Sequence, residues 1–354
     1  MDHSKKSTYH FSIDALRVLA ILAVIMIHVS TKTLSMLKLQ VDEATFSLFL
    51  NQISRFAVPL FFLISGFVLE LNNKEGLSYL KFFKKRATRI ITPFLFWTLL
   101  YFLIACNFNF STVFTDKFFW TVILGTASYH LYFIPTLILF YLAFPFLHAG
   151  INILKKPVVL LTILLVQGAL LYRDYYIKAW ELQYDLRIAL LSFSMFILGM
   201  VASHHKDTIY KYASKFRYAL LGLLVFFLFF ITFHVYDMTL KLKTSRFIYN
   251  QFGPLNYLYT GVLASFLFYI LEKTKFMKNP FILLSKLSFF VFFIHVLIQN
   301  LIWNNILAQF VELYGTGILR TYWFDIALFT IISFLSFGIA FMIHKIPGAN
   351  RITG

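Results

Sequence analysis

The chain has 354 residues, of which 60% are hydrophobic and 13% charged, with a mean hydropathy of +0.76. A soluble domain is nearer half apolar and a quarter charged, so this composition excludes a water-soluble core and points to a polytopic membrane protein. The net charge of +17 invites a nucleic-acid partner, but the basic residues fall in short loops between apolar runs, which argues against nucleic acid.

Apolar stretches near the ~20 residues needed to cross ~30 Å of hydrocarbon recur along the chain. They lie at 12–31, 47–71, 89–107, 129–149, 157–172, 186–203, 217–235, 255–272, 280–303 and 324–344. The expected fold is therefore an all-α, polytopic transmembrane helix bundle of about ten spans. It forms one integral-membrane domain over 1–354, with its core at about 10–345. The lone cysteine, Cys106, rules out an intramolecular disulfide and leaves no metal-binding Cys spacing.

The first span contains Asp14, Arg17 and His28. It is long, carries Arg17 and lacks a clear small-residue cleavage site, so a membrane span is expected rather than a cleaved signal. Arg17 and His28 are eleven residues apart. At about 100° per residue they share one helix face, separated by roughly 16 Å of rise. Ionisable groups in lipid are costly and usually point into a protein interior or a wet cavity. The ordinary alternatives are an interhelical hydrogen bond for His28 and an interfacial salt bridge between Asp14 and Arg17.

The second span carries Arg55, Pro59 and Ser65-Gly66. Pro59 predicts a kink, Ser65-Gly66 predicts close helix packing, and snorkelling accounts for Arg55 near the outer end. Before the third span comes Lys84-Lys85-Arg86-Ala87-Thr88-Arg89, followed by Pro93. Such a cluster ordinarily marks a cytoplasmic loop touching anionic lipid heads. Arg86 and Arg89, three residues apart at an expected helix start, also suit a phosphorylated ligand. The fourth span opens with Tyr129, His130 and Tyr132, where an interfacial aromatic belt is expected and His130 is a candidate contact for a polar acceptor. In the ninth, Ser288 and His295 share a face but lie about 10 Å apart, too far for a nucleophile–base pair. Interhelical hydrogen bonding is the expected role of both. The segments at 107–128, 236–254 and 304–323 are expected to lie on the membrane surface or to cap a cavity.

Placing the N-terminus in the cytoplasm gives inside loops roughly twice the Lys and Arg of outside loops, as the positive-inside rule requires. With an even span count, both termini are then cytoplasmic.

Several of these motifs, in order, resemble the membrane-bound acyltransferase 3 family. Arg17 and His28 match its first-span Arg and His. Phe61-Phe62-Leu63-Ile64-Ser65-Gly66-Phe67 matches its Phe-Phe-x-x-Ser-Gly-Phe. Arg86 and Arg89 with Pro93 match its cytoplasmic Arg-x-x-Arg and proline. Leu131-Tyr132-Phe133-Ile134 matches its Leu-Trp-Phe-Leu element, with tyrosine in place of tryptophan. Ser285, Ser288, Phe289, Phe292 and His295 match its late Ser and His motif. The chain ends soon after the tenth expected span, as in stand-alone members lacking a fused extracytoplasmic domain.

The resemblance implies an O-acyltransferase that moves an acyl group, acetyl being the expected one, from cytoplasmic acyl-CoA. The implied acceptor is a hydroxyl of an extracytoplasmic envelope polysaccharide or lipid-linked sugar. No bound cofactor or metal is implied; acyl-CoA is a co-substrate, and membrane lipid is the surroundings. Under this resemblance Arg17, Arg86 and Arg89 bind the donor and His28 is catalytic, as general base or acyl carrier. Asp14, Ser65, His130, Ser288 and His295 are accessory candidates. The implied location is a prokaryotic plasma membrane. An envelope polysaccharide exporter or flippase is the competing expectation, because intramembrane Arg and His also suit a translocation path.

Overall fold

The computed structural model describes residues 11–38, 44–73, 76–109, 111, 115–177, 184–242, 248, 253–274 and 278–349, which are all-helical with connecting turns. The expectation for the two chain ends concerns residues 1–10 and 350–354, which lie outside the described residues. Nine helical stretches among the described residues are long and apolar enough to cross a membrane, and a shorter apolar helix at Phe133–Ala149 takes the place of the expected fourth span.

The helices in chain order begin with α1 (Phe11–Met36), α2 (Thr45–Ser54), α3 (Ala57–Asn73), α4 (Tyr79–Arg86) and α5 (Thr92–Ala105). Then come α6 (Asp116–Leu124), α7 (Phe133–Ala149), α8 (Ile151–Leu154), α9 (Pro157–Tyr172), α10 (Tyr184–His204) and α11 (Lys206–Lys215). The last are α12 (Arg217–Leu242), α13 (Pro254–Thr274), α14 (Lys278–Ile302), α15 (Ala308–Tyr314) and α16 (Tyr322–His344).

Helix α1 is the axis of the bundle, packed against α2, α3, α13, α14 and α16. Its most apolar stretch is 67% buried, against 22% for α16 and for the span built on α9, whose remaining surface is left for lipid. That difference explains how α1 can carry charge: its polar groups face protein.

Prolines decide where the expected spans break. The second span divides into α2 and α3 at Arg55-Phe56. Pro59 has no N–H, and its ring opposes the carbonyl four residues back, at Arg55. The third differs more. The helix does not start near Arg89 but runs from Tyr79 through a π-helical turn at Ala87–Ile91 into α5. Pro93 again opposes the carbonyl four residues earlier, and the wider turn absorbs the mismatch. Arg86 and Arg89 are thus mid-helix, and the helix N-terminus expected beside them is absent. The fourth span begins at Phe133, four residues late, and Tyr129 to Tyr132 form turns. Non-helical backbone at membrane depth is tolerated where it lines a cavity. The expected surface segments at 236–254 and 304–323 are partly helical, because α12 reaches Leu242 and α14 continues through a π turn, Trp303–Leu307, into α15.

Close packing locks α3 to α10. A Cβ on Gly66 would lie 2.0 Å from the Phe196 carbonyl oxygen, and one on Gly199 would lie 1.9 Å from that of Leu63. Nearby, the buried Glu70 carboxylate of α3 accepts from His148 Nδ1 of α7 and His204 Nε2 of α10, each at 2.8 Å. Glu70→Ala removes the shared acceptor of two imidazoles. It should cost about 2 kcal/mol, lowering the thermal unfolding midpoint of the purified protein in detergent. An unchanged midpoint contradicts the bracing role.

Candidate active site

Two cavities lie in sequence along α1. The larger, about 520 Å³, is lined by His28, Thr31, Lys32, Arg55, Tyr129, His130, Gln299 and others. The smaller, about 220 Å³, is lined by Arg17, Ser65, Arg89, Tyr141, Ser285, Ser288 and others. Arg17 and His28, on one face as expected, open into different chambers. Among the described residues no carboxylate lines either cavity, and each holds two cationic side chains, Lys32 and Arg55 in one and Arg17 and Arg89 in the other.

In the smaller cavity, Arg17 Nη1 donates to Asp14 Oδ1 at 3.1 Å, and Ser285 Oγ donates to the same oxygen at 2.6 Å. Asp14 therefore orients Arg17 and ties α1 to α14. Arg89 reaches the cavity wall. Arg86, expected on the same side, lies outside the lining. Its guanidinium sits 5.5 Å from the Phe82 ring centre and 5.3 Å from that of Tyr141. The intervening π turn changes the angle between the two arginines. Tyr141 itself lines the cavity, so Arg86 stands one side chain behind it.

His28 of α1 and His130 of the turn before α7 line the larger cavity, and His295 of α14, outside the lining, packs against both. The His28 ring stacks on His295 at 5.2 Å, His130 stands 5.3 Å from His295, and His28 and His130 are 6.4 Å apart. Tyr129 packs its ring edgewise on His28 at 4.9 Å. His295 Nδ1 lies 3.0 Å from the Val291 carbonyl. A carbonyl only accepts, so Nδ1 carries a proton and donates it. His295 Nε2 and His130 Nε2 are buried without a hydrogen-bond partner among the described residues. The arrangement places imidazole groups beside a cavity, the side-chain type that proton removal or nucleophilic attack needs. The described residues contain no group of three or more His, Cys, Asp or Glu able to hold a metal ion.

Several expectations change here. Ser288 Oγ donates to Ser285 O at 2.7 Å, and His295 bonds its own helix, so neither makes the expected interhelical bond. Arg55 is not a snorkelling residue: it is 3% exposed and lines the larger cavity. Its Nε and Nη2 donate to Asn51 Oδ1, and Nη2 also donates to the Ile248 carbonyl. Asn51 in turn donates to Ile27 O, Ser30 Oγ and Thr31 Oγ1 of α1. The backbone break above Pro59 lets Arg55 turn inward. Tyr129 and Tyr132 line the cavity rather than forming only an outer belt. The sequence signal for Arg55 was its place four residues before Pro59; Lys32 and Gln299 carried none.

An all-helical membrane bundle with base-bearing and cation-bearing chambers along one central helix has the features of an integral-membrane group-transfer protein. A family model described as an acyltransferase domain, acyltransferase 3, matches residues 10–345. The chain belongs to that membrane-bound acyltransferase family. No curated protein and no solved structure matches the chain.

Proposed function

We propose that the protein moves an acyl group, acetyl in the first instance, from cytoplasmic acyl-CoA to a hydroxyl of an extracytoplasmic envelope polysaccharide or lipid-linked sugar. The observation that carries this is the adjacency along α1 of a two-arginine chamber and a chamber lined by His28 and His130, with His295 packed against both rings. The loop charges support cytoplasmic termini, which puts Arg17 and Arg89 on the side where acyl-CoA is available, in a prokaryotic plasma membrane.

In this proposal Arg17 and Arg89 hold the anionic donor by charge-assisted bonds, with Arg86 reinforcing the field behind Tyr141. The smaller chamber, about 220 Å³, suits the narrow acyl-pantetheine arm, while the nucleotide stays at the cytoplasmic mouth. The acceptor hydroxyl enters the larger chamber. Its oxygen attacks the acyl carbon; the C–O bond forms and the C–S bond breaks. His28 takes the hydroxyl proton and passes it to the departing thiolate, leaving CoA thiol and an O-acyl ester. In the covalent variant, a His28 nitrogen attacks the acyl carbon and the C–S bond breaks to release CoA thiolate; the acceptor oxygen then displaces the imidazole, which takes the hydroxyl proton and passes it to the thiolate. His295 and His130 position His28, Asp14 positions Arg17, and Ser65 and Ser288 supply hydroxyls to the donor chamber.

Mass spectrometry of envelope glycans from cells with and without the gene tests the proposal. Loss of an acyl ester on deletion supports it; unmodified polymer retained inside the cell supports an exporter instead. Arg89→Ala should raise the KM for acyl-CoA about tenfold while the acceptor KM changes less than twofold, as expected for loss of one charge-assisted contact. A defect confined to the acceptor would remove Arg89 from the donor site.

A further inference from the structure

Three phenylalanines, Phe61, Phe133 and Phe292, line both cavities. They come from three different helices, α3, α7 and α14, and each helix places the boundary at the same level. On α3, Val58 one turn away faces the larger chamber and Ser65 one turn the other way faces the smaller. On the α7 segment, His130 faces the larger and Leu137 the smaller. On α14, Gln299 faces the larger and Ser288 the smaller. The rings touch. Phe133 lies 5.8 Å from Phe61 and 5.5 Å from Phe292 between ring centres. Helix α1 crosses this level through Ala20 and Ile21, both fully buried. The three rings thus lie between the arginines and the histidines.

We infer that Phe61, Phe133 and Phe292 form a septum through which the acyl end of the donor must pass, and that their packing limits the length of acyl group transferred. The inference rests on the transferase function proposed above. Two physical demands meet at this point. A donor approaching from one face and an acceptor from the other must share a path, yet an open path would leak water and ions across the membrane. A constriction of apolar rings excludes water when empty and parts for a thin apolar chain. Phenyl rings move by rotating two torsions, so a short acyl group needs only small displacements, whereas each added methylene needs room that the packed rings lack. One methylene more or less in an apolar slot typically changes transfer by about 10–200-fold, enough to set chain-length preference.

The experiment has two arms, both on full-length protein with Cys106 changed to serine. In the first, Val58→Cys and Ser65→Cys are each exposed to a membrane-impermeant cationic methanethiosulfonate, in intact cells and in inside-out vesicles. The two cysteines should react from opposite faces only. Adding Phe61→Ala with Phe292→Ala should let each react from either face. A cysteine that reacts from both faces in the parent, or no change when the rings are shortened, overturns the septum. In the second arm, acetyl-, butyryl- and hexanoyl-CoA are compared as donors. Phe292→Ala should raise the butyryl-to-acetyl transfer ratio at least tenfold, and the milder Phe292→Leu should raise it less. A ratio unchanged in folded Phe292→Leu and Phe292→Ala proteins overturns the length limit. Opposite-face labelling in a protein that transfers no acyl group from any donor would instead refute the transferase function and leave the partition standing.

Discussion

Replacing His28 with glutamine is expected to lower acyl transfer by about 10³-fold, with insertion and detergent elution unchanged, because positioned proton transfer typically contributes 10²–10⁴-fold. Glutamine keeps a polar side chain of similar reach but neither accepts a hydroxyl proton nor carries an acyl group at neutral pH. The His28 ring is packed between Tyr129 and His295 and borders a cavity, so its loss opens space already continuous with that chamber. Stability should therefore fall little. Transfer of radiolabelled acetate from acetyl-CoA to envelope glycan measures the effect, and undiminished transfer would remove His28 from the chemistry. Intact-protein mass after mixing with acetyl-CoA alone separates the two mechanisms: an acetyl increment lost in His28→Gln marks a covalent carrier. His295→Gln should lower kcat by about tenfold and leave both KM values in place, because its ring orients His28 by stacking rather than by holding substrate.

The helical spans were legible because hydropathy and span length are direct readouts of the bilayer as solvent. So was the shared face of Arg17 and His28, which follows from helical geometry alone, and the Asp14–Arg17 pair, which is local. What pairs with what across the bundle was not legible. Nothing in the spacing of Ser285 announces that it donates to Asp14, or that Ser288 bonds its own helix. Arg55 shows why: near the end of an unbroken helix it would snorkel, but the interruption imposed by Pro59 turns it inward. Arg86 and Arg89 show the same effect, since three residues along an α-helix share a side and three residues across a π turn do not. Histidine convergence was legible only in part: His295 is a candidate partner for His28 from the sequence, but His28, His130 and His295 lie on segments far apart, and spacing does not bring His130 to them. The bulk of the family's ordered motifs nevertheless falls on the walls of the two chambers.

That placement has a mechanical consequence. Phe61 and Ser65 belong to α3, and both positions matter only if α3 stays at a fixed depth and distance from α1. The tightest neighbour of α3 among the described residues is α10, and the contact there is backbone against backbone. The geometry of the chambers is thus set partly by residues that line neither.

Gly66 and Gly199 carry that contact, and bulk at either is expected to destabilise the bundle. A methyl on Gly66 would sit 2.0 Å from Phe196 O, and one on Gly199 would sit 1.9 Å from Leu63 O. Both obstacles are carbonyl groups inside helices, which cannot rotate away as side chains do. The helices must separate by more than 1 Å to restore ordinary contact, opening voids along the interface. Gly66→Ala and Gly199→Ala should each cost about 2 kcal/mol and the valine variants about 3 kcal/mol. Gly222 and Gly338 provide the control, since an added Cβ meets nothing within 4 Å at either position. Gly222→Ala and Gly338→Ala should be neutral or stabilising by up to about 1 kcal/mol, because alanine is the better helix former. Thermal unfolding in detergent, followed by the fraction remaining monodisperse after heating, ranks the four alanine variants. Equal midpoints for Gly66→Ala and Gly222→Ala would mean that the α3–α10 contact yields without cost. If the contact holds as described, a Gly199→Ala protein that still folds should also transfer acyl groups less well, although residue 199 touches neither chamber, because α3 and with it Phe61 will have moved.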